Sequence, residues 1–414
     1  MSRSAHSRWN LYLLLFVVFG GFLIFGLSEN IKGPAIPRMQ LDFGLSEGQL
    51  GKLLALNSLG YLVACTFTSA LARRIGIRWT GIAAFASMAV AGIFIYLSSG
   101  YVSLSASYFL LYLGNGMLEI GLAIMAARIF TKNTGTMMNI AHFFYGLSSM
   151  VAPIVAASMM GWTAPGGGEL GWGGMYMIVL ALSILPIIPS LLGKFPEEEM
   201  HAEAESVSYR TLIRDPIAWL IVLILSFGVA SELAIGSWLV NFLEKAYDWE
   251  VEDASGMLSL FFLFFMLARL VLGPITDRIG YTLSVLVFAA LSGACSIAGV
   301  LMGESGAILL ALAGIGIAPI YPTVMAMISK RYPRGTDTAI TFIVTLMGIA
   351  SVICNLAIGY LIEGVRGLFA GRGSDESELL GMQAGYVFIG VLAIACAVCC
   401  VVLYMVLRRK REVI

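Results

Sequence analysis

The sequence predicts an all-α membrane protein with twelve transmembrane helices in two pseudo-symmetric six-helix bundles. Three observations lead there. The 414 residues are 59% hydrophobic and 12% charged, with a mean hydropathy of +0.89, a balance that cannot coat a water-soluble surface with polar groups. Apolar runs of about 20 residues, the length that crosses a bilayer core, recur along almost the whole chain. Short signatures in the first half return in the second at a nearly constant offset, as a duplicated architecture requires.

The first span, 9–36, opens at Trp9; it is too long for a signal-peptide core and no small-residue cleavage site follows, so it reads as a mature helix. The second and third, 46–71 and 79–98, flank a basic loop holding Arg73, Arg74 and Arg78. The fourth, 103–127, has a glycine-rich stretch before Glu119, and the fifth, 137–161, carries Asn139, His142 and Tyr145 and then Pro153. After the sixth, 174–193, comes the one long polar interior segment, Lys194 to Asp215, with five glutamates and no apolar run; it reads as a solvated linker. Spans at 216–242, 254–275, 281–301, 306–328, 338–362 and 384–407 complete the second half. In the tenth, Pro319 and Pro322 interrupt the backbone ladder, which at membrane depth is tolerated where a helix lines a cavity or moves, so this segment reads as a gate. Cys396, Cys399 and Cys400 in the twelfth read as packing residues, because thiolates in lipid without a nearby histidine or carboxylate make a poor metal site. The expected domains are a bundle over 1–193, a linker over 194–215 and a bundle over 216–414.

Charge placement sets the expected orientation. Of the 25 Lys and Arg, eighteen fall in the N-terminus, the even-numbered loops and the C-terminus, and four on the opposite side. By the positive-inside rule both termini face the cytoplasm, with the chain in the cytoplasmic (inner) membrane.

The internal repeat is explicit. Phe25 to Glu29 in span 1 resembles Phe227 to Glu232 in span 7, at an offset of 202 to 203. Ala72 to Gly76 resembles Thr276 to Gly280 at 204. Gly114-Asn115-Gly116 resembles Gly314-Ile315-Gly316, and Gly135-Thr136 resembles Gly335-Thr336, both at 200. Repeated halves with a site between them are the architecture of alternating-access carriers.

The loops after spans 2 and 8 carry the resemblance to a family. Gly273, Asp277, Arg278 and Gly280 match the Gly-x-x-x-Asp-Arg-x-Gly pattern of the major facilitator superfamily; the first copy keeps Arg74 and Gly76 but has Ser69 and Arg73 where Gly and Asp stand. The resemblance implies the major facilitator fold, with Arg74, Asp277 and Arg278 as a latch at helix ends. Within that superfamily the chain resembles the fucose permease group and related sugar carriers, through Gly116-Met117-Leu118-Glu119, Met138 to Gly146 and Glu232 to Leu239. That group's protonatable glutamate in the fourth helix matches Glu119. Its aspartate late in the first helix is replaced here by Gly33, flanked by Lys32.

An ionisable side chain near the bilayer centre requires a partner, a cavity or a task. Glu119 is the expected coupling residue, since a buried carboxylate can load and release a proton near neutral pH. Glu29 and Glu232 occupy equivalent places in the two halves and are read as further coupling or cavity positions. Lys32 lies three residues from Glu29, within reach on one helical face. It either pairs with Glu29 or Glu119 or, unpaired, attracts an anionic substrate. Sugars combine apolar faces with hydroxyls, so Asn57, Asn139, His142, Tyr145, Trp238, Asn241 and Tyr321 complete the expected substrate set.

These features point to an alternating-access secondary transporter, a proton- or cation-coupled symporter of a sugar or sugar-like solute, with no cofactor expected beyond a coupling proton or sodium ion. No phosphate loop, paired metal ligands or nucleophile motif suggests an enzyme. The expected partners are a small-molecule substrate and the lipid bilayer, without nucleic acid, and the chain is expected to be a monomer. Two other readings stay open. Acidic residues in a Met- and Phe-rich cavity also suit a proton-coupled exporter of amphipathic drugs or metabolites, and a membrane sensor without transport could signal through the linker or the basic tail.

Overall fold

A computed structural model of the chain describes residues 2–129, 134–164, 166–195, 208–333 and 335–410, with the side chains of 2–7, 127–128, 134–139, 273, 274, 277, 337 and 410 excepted. Twelve helices among these are long and apolar enough to cross a membrane. In chain order they are α1 Arg8–Phe43, α2 Glu47–Ile75, α3 Ile77–Tyr96, α4 Tyr101–Ala126, α5 Ile140–Met160 and α6 Gly171–Leu192. The second six are α7 Pro216–Tyr247, α8 Val251–Leu272, α9 Tyr281–Leu301, α10 Gly303–Arg331, α11 Thr338–Leu368 and α12 Ser374–Arg409.

Proline shapes several of them. Pro34 has no N–H to give the Asn30 carbonyl, and α1 breaks there: one helix ends at Asn30 and the next starts at Lys32. The Asn30 side chain pins the break, its Nδ2 donating to the Gly26 carbonyl and to Ser149 Oγ, each at 2.9 Å. After the break α1 runs on to Phe43, seven residues beyond the expected end. Gly44 stops it in the left-handed conformation (φ 59°) that glycine adopts without strain, and Trp172 Nε1 donates to Asp42 at 2.6 Å. Polar Arg38 and Asp42 mask this extension in a hydropathy reading.

The chain divides into two compact units, Met1–Leu45 with Leu56–Met200, and Ser46–Ala55 with His201–Ile414. In the first, Tyr108 donates to Tyr176 at 2.6 Å among fully buried neighbours, and Ser183 Oγ donates to the Phe85 carbonyl at 2.9 Å. In the second, Trp238, Phe242, Phe261, Phe265 and Tyr386 fill the interior, the Phe242 and Tyr386 rings lying 4.7 Å apart. Its helices approach through small residues: a Cβ on Gly293 would stand 2.8 Å from the Gly390 carbonyl of α12. Lipid-exposed bundles pack in this way because burial of apolar surface gives no drive between helices. The ten residues Ser46–Ala55 belong with the second unit, where a Cβ on Gly51 would lie 3.0 Å from the Gly359 Cα. Large apolar side chains such as Phe94, Ile154, Val271 and Ile353 cover the exterior, as lipid contact demands.

The repeat has a conformational cause. Gly76 and Gly280 share φ near +85° with ψ near +150° (85°/152° and 89°/147°), a region open essentially to glycine alone. In the fourth and tenth spans the structural register differs from the literal match. Gly114 packs on α3 and Gly116 on α2, whereas Gly316 packs on α9, the counterpart of α3, and Gly314 on α8. Gly114 therefore corresponds to Gly316, an offset of 202 that agrees with spans 1 and 7.

Candidate functional site

In the first unit, two glycines decide where Glu119 sits. A Cβ on Gly116 would meet Ala64 Cβ and the Tyr61 carbonyl, both at 2.8 Å, and one on Gly60 would meet the Phe109 carbonyl at 2.8 Å. α2 and α4 thus cross backbone to backbone, and the Tyr61 hydroxyl donates to half-buried Glu119. Asn57 lies one turn before Tyr61. It is 3% exposed, and neither its Oδ1 nor its Nδ2 has a hydrogen-bond partner among the described residues.

A second cluster surrounds the break in α1. Lys32 and Glu29, both buried, form an ion pair across this break. Asn115 of α4 donates from Nδ2 to Glu29 Oε2 at 3.4 Å and accepts from Ser28 Oγ at 2.9 Å. The Lys32 ammonium stands 5.3 Å from the centroid of the Tyr112 ring, in reach of its π-face. Tyr112, Asn115 and Glu119 follow one face of α4 at helical spacing, so the two clusters share a wall. The structure places Lys32 with Glu29 and resolves that pairing.

The aromatic candidates of α5 are less enclosed. His142 is exposed, its ring 5.1 Å from Phe22, and Tyr145 is half-buried with its ring 5.2 Å from Phe25. The Asn139 side chain lies outside the described residues.

In the second unit Arg269 joins three helices. Its Nη2 approaches Glu232 Oε1 of α7 at 4.0 Å, and its guanidinium lies 4.2 Å from the centroid of Phe265 on α8 itself. Its Nε donates to the Ala318 carbonyl at 3.1 Å. Pro322 explains the last contact: the N–H four residues on would normally satisfy that carbonyl, and proline has none. The break falls between Ile317 and Ile320, with Pro319 buried in it and Tyr321 half-buried beyond.

Trp238 is 1% exposed and its indole N–H has no partner among the described residues. Asn241 is fully buried; its Nδ2 stands 3.5 Å from Glu47 Oε2, and Glu47 pairs with Lys245. Arg74 and Arg278 are exposed where their helices end, and the Asp277 side chain lies outside the described residues, so the expected latch has no described geometry.

Tyr61, Tyr112, Asn115, Glu47 and Lys245 are site residues that the sequence reading passes over. Spacing could have found two of them. Tyr61 is four residues after Asn57, and Asn115 four before Glu119, each on the same face of its helix. Glu47 and Lys245 stand 198 residues apart and offer no local signal.

Twelve apolar spans with carboxylates placed within them fit the carrier class of membrane proteins. The Major Facilitator Superfamily model matches residues 18–353 and again 240–413, and the chain belongs to that superfamily. It is 23% identical over 287 residues to Bypass of stop codon protein 6 of Saccharomyces cerevisiae, covering 62% of this chain and 56% of that protein. The chain thus spans about half the length of the yeast relative. It is 21% identical over 358 residues to the Protein TsgA homolog of Edwardsiella ictaluri, covering 84% of this chain and 88% of that one. Among solved structures, the D-xylose–proton symporter superposes with a TM-score of 0.75 at 13% identity, covering 94% of this chain and 97% of that one. A bacterial homolog of the human lysosomal transporter Spinster gives 0.73 at 14%, covering 96% and 97%. FucP in its outward conformation gives 0.62 at 18%, covering 93% and 98%. At these identities the structural likeness speaks for the fold.

Proposed function

We propose that the protein is an alternating-access secondary transporter that moves a sugar or sugar-like polar solute together with a proton or cation, with Glu119 as the coupling residue. The hydrogen bond between Tyr61 and Glu119 carries this reading. The Tyr61 hydroxyl donates to the half-buried Glu119 carboxylate where α2 and α4 cross, so a proton-carrying group stands beside a carboxylate that can bind and release a proton. Pairing of Lys32 with Glu29 leaves that cluster without net charge, which supports a neutral solute over an anionic one. Within the first unit, buried Asn57 offers polar atoms of the kind that a hydroxylated solute satisfies. Two proteins of similar fold, the D-xylose–proton symporter and the fucose–proton symporter FucP, are carriers of that kind.

The test uses proteoliposomes. A thermal-shift panel of neutral sugars, uronic and amino sugars and cationic drugs first selects the solute, since selective binding to the folded state raises Tm. Glu119→Gln is then expected to abolish proton-gradient-driven accumulation while preserving solute exchange at equal concentrations. Accumulation at the native rate by that variant would remove Glu119 from coupling, and stabilisation by cationic drugs alone would favour the exporter.

A further inference from the structure

A six-residue helix, Tyr209–Arg214, stands just before α7. Leu212 is fully buried beneath it, whereas Tyr209 and Ile213 are more than half exposed and Arg210 and Arg214 are exposed. The rings of Tyr209 and of Trp219, in the first turn of α7, lie 6.3 and 6.0 Å from Phe342 of α11, and Trp219 Nε1 donates to the Ile213 carbonyl at 2.9 Å. These contacts hold the short helix where α7 leaves the bilayer, the depth at which Trp and Tyr anchor membrane proteins.

Its charges are unevenly answered. Asp215 accepts from the Ile217 N–H at 2.9 Å and from the Tyr332 hydroxyl at 2.7 Å, and stands 3.7 Å from Arg331 Nη2. Neither the Arg210 nor the Arg214 guanidinium has a partner among the described residues. The two are four residues apart on one short helix, where like charges repel. They border an open hollow of about 640 Å³ lined by Ser208, Arg210, Thr211, Arg214, Asp215 and Pro216.

We propose that this hollow is a headgroup site for an anionic glycerophospholipid of the surrounding bilayer. The phosphate sits between Arg210 and Arg214, relieving their repulsion through charge-assisted hydrogen bonds, and Ser208 and Thr211 supply hydroxyl donors beside it. The acyl chains follow exposed Ile213, Tyr209 and Trp219 along α7. That apolar path, continuous with a transmembrane helix, selects a lipid over a free anion.

The experiment is a lipid titration of the full-length protein in neutral detergent, with bound lipid counted by native mass spectrometry. Phosphatidylglycerol, phosphatidylcholine and inorganic phosphate are compared. Phosphatidylglycerol is expected to bind the native chain preferentially, and R210Q/R214Q to weaken it by roughly tenfold or more without changing phosphatidylcholine. The control R408Q/R409Q, exposed arginines at the end of α12, is expected to bind as the native chain does. Unchanged phosphatidylglycerol binding by R210Q/R214Q, or an equal loss in the control, overturns the site. Inorganic phosphate competing away the lipid would reassign it to a free anion. A lipid preference seen only after glutamine replaces Glu197, Glu198, Glu199, Glu203 and Glu205 would assign the arginines to the acidic linker.

Discussion

Lys32 carries its charge into a site only 5% exposed, and Glu29, one turn earlier, answers it. Removing one member of such a pair strands the other, at a cost of about 3–5 kcal/mol, whereas removing both leaves two neutral groups. Lys32→Met should therefore lower the melting temperature in detergent strongly, and Glu29→Gln added to it should restore much of the loss. A double variant no more stable than the single would show that the two charges act independently. The pair itself is legible at a spacing of three residues; that Asn115 and Tyr112 of α4 meet it is not.

Tyr332, beyond the end of α10, is titratable at the same scale. Burial, and then its hydrogen bond to Asp215, push its hydroxyl well above the usual tyrosine range. An acid whose ionisation is suppressed by folding contributes stability in full below its unfolded value of about 10, and loses it as pH rises toward the folded value. The native chain should thus lose stability above about pH 10 more steeply than Tyr332→Phe, which cannot ionise there. Parallel alkaline limbs in thermal melts of the two proteins would contradict this.

Elements meet in this protein where small residues let backbones touch. Gly116→Ala places a methyl 2.8 Å from Ala64 Cβ and the Tyr61 carbonyl, so α2 and α4 must part, at a cost of about 1–3 kcal/mol. The same movement draws Tyr61 from Glu119. Gly121→Ala meets nothing within 4 Å and serves as the matched control. Gradient-driven uptake should fall several-fold with the first substitution and hold with the second; equal uptake would mean that the crossing does not position Glu119. Breaks in α1 and α10 follow from Pro34, Pro319 and Pro322, because a missing N–H is a property of the residue itself. That Arg269, 49 residues from Ala318, satisfies the carbonyl freed by Pro322 is a property of the packing.

Across the whole molecule, chain order and compact units diverge at Ser46–Ala55, which belongs with the second unit. There Glu47 pairs with Lys245, and a Cβ on Gly48 would collide with the Glu363 carboxylate. A fragment spanning 208–414 lacks those ten residues and leaves Lys245 and the Gly359 surface uncovered. Expressed alone it should give little monodisperse protein, and co-expression with 1–207 should recover it. Equal yields in both cases would show that the segment adds nothing to the second unit.

Membrane residence, the number of spans, their duplication and the break in α10 were legible in the sequence alone, while the break in α1, read there as one helix through Pro34, came from the structure. Each legible feature depends on composition, on periodicity or on a backbone group that one residue lacks, quantities carried along a single dimension. Only the tertiary structure decided which polar groups meet: Tyr61 with Glu119 across 58 residues, Asn115 with Glu29 across 86, Lys245 with Glu47 across 198. In a helix hydrophobic on every side, apolar periodicity does not say which face turns to which neighbour. Close contacts between glycines and backbone on facing helices set that rotation, and they exist only once the helices have packed.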